Sequence, residues 1–191
     1  NVISGKTALS TPTNVKVSAP SGTSISITYD SVLGATGYEI YSSKGTSLTY
    51  TLVKSQTGTT PVLHTGLTSN TIYNYKVRAY RLVGTTKVYG AYSEISSLPT
   101  PPLSSVLKVV SKDAITLSLS WTSVAGITEF NLFKDGELVD VYAPTVLSTE
   151  LSGLVTGHTY QLSLHAINGE LGTASIVNIS AAPIRSEEHT S

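Results

Sequence analysis

The stretch Ile115-Thr116-Leu117-Ser118-Leu119-Ser120-Trp121 alternates apolar and hydroxyl-bearing side chains without a break. A period of two marks a β-strand with one buried and one wet face. The same device stands 92 residues upstream as Ile25, Ile27 and Tyr29. That spacing also relates Val15 to Leu107, Val17 to Val109, Tyr38 to Phe130 and Ile40 to Leu132. Apolar positions that keep one register over three successive strands describe an internal repeat.

Farther along, Leu67 precedes Tyr73 by six residues and Leu154 precedes Tyr160 by six. Each Tyr opens another alternating strand, Tyr73-Tyr75-Val77-Ala79 in the first copy and Tyr160-Leu162-Leu164-Ala166 in the second. The spacing between these strands has fallen to 87, so the second copy is five residues shorter over the intervening stretch. Length changes of this kind belong in loops and edge strands. Asp135-Gly136 and Asn168-Gly169 are strong hairpin signals, and Ser43-Lys44-Gly45 is a weaker one. No segment carries a 3.6-residue period, so the fold class is all-β.

Each copy resembles a fibronectin type III domain. The resemblance rests on an aromatic ending the second strand, an aromatic nine residues on, and a Leu-x-x-x-x-x-Tyr-x-apolar-x-apolar-x-Ala stretch. It covers roughly residues 11–183 and implies two tandem immunoglobulin-like antiparallel sandwiches of seven strands each. It also implies that Tyr73 and Tyr160 are tyrosine corners, whose hydroxyls pin the chain to nearby backbone. Tyr29 stands where Trp is usual, and Ser69 and Thr156 where Pro is common.

The expected organisation is the end of a preceding repeat or a linker over 1–10, domains over 11–98 and 103–183, and a tail over 184–191. Pro99-Thr100-Pro101-Pro102 lies between the domains and reads as a short, stiff polyproline spacer. Arg185–Ser191 resembles a translated sequencing-library adapter, and neither end looks like a natural terminus, so the chain reads as a fragment.

Composition narrows the function classes. Of the 191 residues 13% are charged and 40% hydrophobic, and the net charge is zero. Nucleic acid is therefore not the expected partner. No apolar run reaches membrane-spanning length, so no membrane insertion is expected. There is no Cys, which removes disulfides, thiolate metal sites and thiol nucleophiles. His64, His158, His165 and His189 show no zinc spacing, and Asp135, Glu137 and Asp140 cluster at a turn rather than in a calcium loop. No Gly-x-Ser-x-Gly elbow or glycine-rich phosphate loop appears. No catalytic residue, cofactor or metal is assigned.

What remains is a surface. Residues 1–98 carry eight Lys/Arg against three acids, and residues 103–184 three against seven. Nine of the eleven tyrosines lie in the first copy. If Tyr38, Ile40, Val77 and Ala79 point inward, Tyr41, Lys76, Arg78 and Tyr80 point outward together. Tyr89 and Tyr92 would extend that patch, and Phe133, His165 and Ile167 hold comparable outward positions in the second copy. Aromatics beside long cations suit a polysaccharide or a surface protein as partner. They equally suit ordinary cross-strand pairing, with Glu39 answering Lys76 or Arg78.

The family triggers Arg-Gly-Asp and paired Trp are absent, and Asn178-Ile179-Ser180 is a glycosylation sequon. The stretch Lys87–Ser93 resembles modules of bacterial surface proteins and secreted polysaccharide-degrading enzymes. The resemblance as a whole implies noncatalytic spacer or adhesion modules of a larger extracellular or cell-surface protein of bacterial origin, with neighbouring domains of the same chain as partners. The alternative is accessory modules of a secreted enzyme that acts on polysaccharide.

Overall fold

The computed structural model describes residues 8–184, which form two compact units divided between Thr100 and Pro101. The adapter-like tail 185–191 and most of the segment 1–10 lie outside the described residues.

In the first unit, β1 (Lys16–Ser21), β2 (Ser24–Thr28) and β5 (Val62–Thr65) form one antiparallel sheet in the order β1-β2-β5. The facing sheet runs β4-β3-β6-β7, with β3 at Gly37–Lys44, β4 at Thr51–Gln56, β6 at Ile72–Val83 and β7 at Thr86–Tyr92. A last strand, β8 (Ser96–Pro99), also pairs with β6. Strands β7 and β8 are one strand split at Ser93–Ile95, which is why this unit has eight segments rather than the expected seven. At the split the Ser93 side chain accepts the Val77 N–H at 3.0 Å, so a hydroxyl replaces a ladder carbonyl.

The second unit repeats the plan with seven strands. Its smaller sheet is β9 (Leu107–Lys112), β10 (Leu117–Trp121) and β13 (Ser148–Leu151), in the order β13-β10-β9. The larger runs β12-β11-β14-β15, from β11 (Glu129–Lys134), β12 (Glu137–Tyr142), β14 (Tyr160–Asn168) and β15 (Thr173–Ala181).

The alternating apolar residues fill the space between the sheets. Ile25, Ile27, Tyr29, Tyr38, Ile40, Tyr73, Tyr75, Val77 and Ala79 form the first core. Leu117, Leu119, Trp121, Phe130, Leu132, Tyr160, Leu162, Leu164 and Ala166 form the second. Ile115 departs from the expectation: β10 begins only at Leu117, and Ile115 is exposed. Tyr29 fills the Trp position by packing on Tyr38 at 5.0 Å between ring centroids. Its hydroxyl donates to the Gly58 carbonyl and accepts from the Gln56 amide. Trp121 packs on Phe130 and Tyr142 and donates to the Val146 carbonyl at 2.9 Å.

The corners form as the resemblance implied. The Tyr73 hydroxyl accepts the Thr68 N–H at 3.0 Å, and the Tyr160 hydroxyl accepts the Val155 N–H at 2.9 Å. Asp135-Gly136 makes its tight turn with both residues at positive φ, 52° and 87°. The Asp135 carboxylate accepts the Gln161 N–H of β14, so this acid is occupied in tying the turn to that strand. The Asn168-Gly169 hairpin exists but turns later, with the left-handed residue at Gly172.

The proline-rich spacer is shorter than its sequence suggests. Pro99 belongs to β8, and Thr100 is wholly buried in the first unit. Its hydroxyl accepts the Thr71 N–H and donates to the Thr68 carbonyl at 2.7 Å, which ties residues 99 and 100 to the corner loop.

Candidate contact face of the first unit

The outer face of the β4-β3-β6-β7 sheet is built around a buried carboxylate. Tyr38 and Ile40 point into the core, so Glu39 between them and Tyr41 after them point out. Register sets Glu39 opposite Arg78 and Tyr41 opposite Lys76. Glu39 is only 4% exposed. Its Oε2 accepts from Arg78 Nη2 at 2.7 Å, Arg78 Nε at 3.1 Å and the Tyr41 hydroxyl at 2.7 Å. Its Oε1 accepts from Lys87 Nζ at 2.9 Å and the Tyr89 hydroxyl at 3.0 Å. One carboxylate thus takes five hydrogen bonds, two of them from one guanidinium.

The electrostatics follow from that geometry. Burial raises the Glu39 carboxyl, but the bonds from Lys87, Tyr41, Arg78 and Tyr89 more than reverse it, from 4.5 to about 2. Burial and donation to the carboxylate push the Tyr41 hydroxyl up to about 12. Arg78 is raised despite partial burial because it faces Glu39.

The cations lie on ring faces. The Arg78 guanidinium sits 3.6 Å from the Tyr89 ring centroid, and Lys87 sits 4.3 Å from that of Tyr80. Lys76 Nζ lies between two rings, 4.0 Å from Tyr50 and 4.2 Å from Tyr92. Among the described residues no carboxylate pairs with Lys76. Tyr92 meets Tyr41 edge-on at 5.6 Å.

The four residues singled out by alternation therefore do share one face, in unequal states. Tyr41 and Arg78 are committed to Glu39. Lys76 is held by rings alone. Tyr80 needs correction as an outward ring: it is on the outer side but only 6% exposed. It lies flat over Gly37, where a Cβ would come within 2.5 Å of its hydroxyl and 2.7 Å of the Gln56 carbonyl. Absence of a side chain at Gly37 lets the ring collapse onto the sheet. Of the two pairings open to Glu39, the structure makes the one with Arg78.

Sequence reasoning missed Tyr50 and the part played by Lys87. Tyr50 precedes β4 in a loop, where no alternation assigns a face, and Lys87 reaches Glu39 only through the β6–β7 hairpin register.

In the second unit Phe133 and His165 do come together, with ring centroids 4.4 Å apart. Ser163 Oγ lies a long 3.4 Å from His165 Nε2, and among the described residues no carboxylate bonds to that ring. His64 is partly buried and bonds to the Tyr75 hydroxyl at 3.0 Å, and His158 packs on Tyr160 at 4.6 Å.

No protein-family model matches the chain. Fibronectin type III domain-containing protein 7 of Mus musculus is 27% identical over 188 residues, covering 95% of this chain and 24% of that protein. The chain thus spans about a quarter of the length of that curated relative. A two-domain fibronectin type III segment of chicken tenascin superposes with a TM-score of 0.51 at 15% identity, over 90% of this chain and 98% of that one. The chain therefore has the fold of two fibronectin type III-like domains in tandem.

Proposed function

We propose that the chain is a noncatalytic pair of spacer and adhesion modules of a larger extracellular or cell-surface protein. Its contact surface is the outer face carrying Tyr50, Lys76, Arg78, Tyr89 and Tyr92, and its partner is an acidic protein surface. The observation that carries this reading is the position of the cations on the ring faces.

A sugar stacks on an open aromatic face, and here Tyr50, Tyr80, Tyr89 and Tyr92 each present a face to Lys or Arg. Arg78 and Lys87 share the carboxylate of Glu39 and Lys76 rests on rings, which leaves an excess of positive charge over an aromatic floor. Such a surface favours carboxylates of a partner over neutral glycan. Tandem sandwiches with little length between them suit presentation of such a face. The source proposed from Lys87–Ser93 is bacterial, and the curated relative is murine.

The test uses the full chain on polyglutamate-coated beads and on insoluble neutral polysaccharide, at low salt and at about 0.5 M salt, where exposed charge contacts are screened. Retention on polyglutamate that falls with salt, and falls again in Lys76→Gln, supports the reading. Lys108→Gln/Lys112→Gln in the second unit should leave it unchanged. Salt-resistant retention on neutral polysaccharide, lost in Tyr92→Ala, would replace the protein partner with a glycan.

A further inference from the structure

The second unit fills one corner between its sheets with apolar side chains, and the first unit opens the same corner as a polar cleft. Strand register identifies the equivalent positions. In the second unit Leu151 pairs with Leu117, and Lys134 with Leu162. In the first, His64 pairs with Ile25, and Ser42 with Tyr75. Leu151 and Leu162 are buried, and the Lys134 ammonium lies over the Tyr160 ring at 5.1 Å. At the corresponding place in the first unit a cleft of about 440 Å³ opens, with Ser42, Lys44, Thr49, Thr51, His64 and Tyr73 in its walls. Small-molecule sites occupy about 300–1,000 Å³.

Two polar groups of this cleft have no partner within the protein. Ser42 is only 5% exposed, and among the described residues its hydroxyl makes no hydrogen bond. Buried polar groups are almost always bonded, so this hydroxyl is an exception with a cause to find. His64 is half-buried and meets the Tyr75 hydroxyl through Nδ1 at 3.0 Å. Tyr75 is wholly buried, and among the described residues its hydroxyl has no other bond. A buried phenol proton needs an acceptor, so Tyr75 donates and Nδ1 accepts. Neutral His64 then carries its proton on Nε2, which no described residue accepts. Burial lowers the imidazole and favours that neutral form. At the rim, Lys44 Nζ donates to Thr68 Oγ1 at 3.0 Å and has further protons to give.

We propose that this cleft binds a small hydroxylated carboxylate, a single sugar acid in size and chemistry. Lys44 and the Nε2–H of His64 can only donate, and no Asp or Glu stands in the walls to accept. A carboxylate only accepts, and its bonds from such donors are the stronger, charge-assisted kind. One cation beside a neutral imidazole matches one negative charge, not the nearly two of a phosphate monoester. The hydroxyls of Ser42, Thr49 and Thr51 both donate and accept, which suits the hydroxyls of a sugar acid better than the chain of a fatty acid. Ser42 and Tyr75 face inward, so this site is separate from the outer face of Lys76 and Arg78, and the two readings fail independently.

The test is a nuclear magnetic resonance titration of the full ¹⁵N-labelled chain with sodium glucuronate, glucose and sodium acetate. Glucuronate should move the amide signals of Ser42, Lys44 and His64 with a Kd of roughly 1 mM, as a few directed bonds in a half-open cleft allow. Glucose lacks the carboxylate and acetate the hydroxyls, so each should bind about fivefold more weakly or worse. Ser42→Ala deletes a hydroxyl that no other residue uses, so its weakening of about threefold cannot come from lost folding. His64→Leu/Tyr75→Phe imitates the apolar corner of the second unit and should weaken binding by about tenfold or more. Lys76→Gln on the outer face should leave it unchanged. The imidazole ¹⁵N shifts of His64 should show the proton on Nε2. No shift at the cleft up to about 50 mM glucuronate overturns the proposal, because weaker binding is below a specific site. Glucose or acetate binding as tightly as glucuronate, indifference to both cleft variants, or a proton on Nδ1 overturns it equally.

Discussion

Replacing Glu39 by Gln tests whether the outer face of the first unit is a folding element as well as a surface. The amide keeps the shape but loses the charge, and its NH2 group turns a donor toward Arg78 or Lys87, which can only donate. Glu39 is held at about 2 rather than 4.5, and each pKa unit corresponds to about 1.36 kcal/mol, so up to roughly 3 kcal/mol depends on the charge. Solvent reaches the rim of the network at Lys87, whose side chain is 35% exposed, so screening reduces the expected loss to about 2 kcal/mol. For a domain of this size that lowers the melting temperature of the first unit by about 10 °C.

The sign with pH is fixed by the direction of the shift. A carboxyl depressed on folding stabilises fully above its unfolded value, near 4.5, and that stability drains away as pH falls toward about 2. Wild type and Glu39→Gln should therefore differ at neutral pH and converge in acid. Near-ultraviolet tyrosine dichroism follows mainly the first unit, and the sole Trp, Trp121, reports the second alone. Scanning calorimetry with both probes resolves the two. Equal melting of variant and wild type at neutral pH, with no convergence in acid, would refute the reasoning.

Trp121→Ala removes the largest side chain of the second core and should cost about 3–5 kcal/mol, read from urea unfolding by far-ultraviolet dichroism. Tyr73→Phe and Tyr160→Phe each leave a corner N–H without its acceptor, and each should cost about 1–2 kcal/mol in the unit that carries it. Gly37→Ala drives a methyl into the Tyr80 ring and the Gln56 carbonyl; it should destabilise the first unit by about 1–3 kcal/mol and change its near-ultraviolet spectrum.

Much of this molecule follows from the period of two. Alternation in Ile25-Ile27-Tyr29, Leu117-Leu119-Trp121 and the strands after Tyr73 and Tyr160 separates inside from outside. The spacing of 92 kept over three strands, and of 87 beyond them, makes the chain a tandem of one fold. Those features are local, because strand pleat alone fixes which side a residue faces. The same reasoning put Tyr41, Lys76, Arg78 and Tyr80 on one face and found the Asp135-Gly136 turn.

Alternation assigns a side but says nothing about what covers that side, which depends on residues far apart in sequence. Tyr80 is buried because β3 places Gly37 beneath it. Glu39 is a hub because the β6–β7 hairpin brings Lys87 and Tyr89 across from another strand, and a bulge in that pairing sets their reach. Thr100 leaves the linker because its hydroxyl meets the backbone of the corner loop. Register and neighbours are long-range quantities, and only the folded chain fixes them.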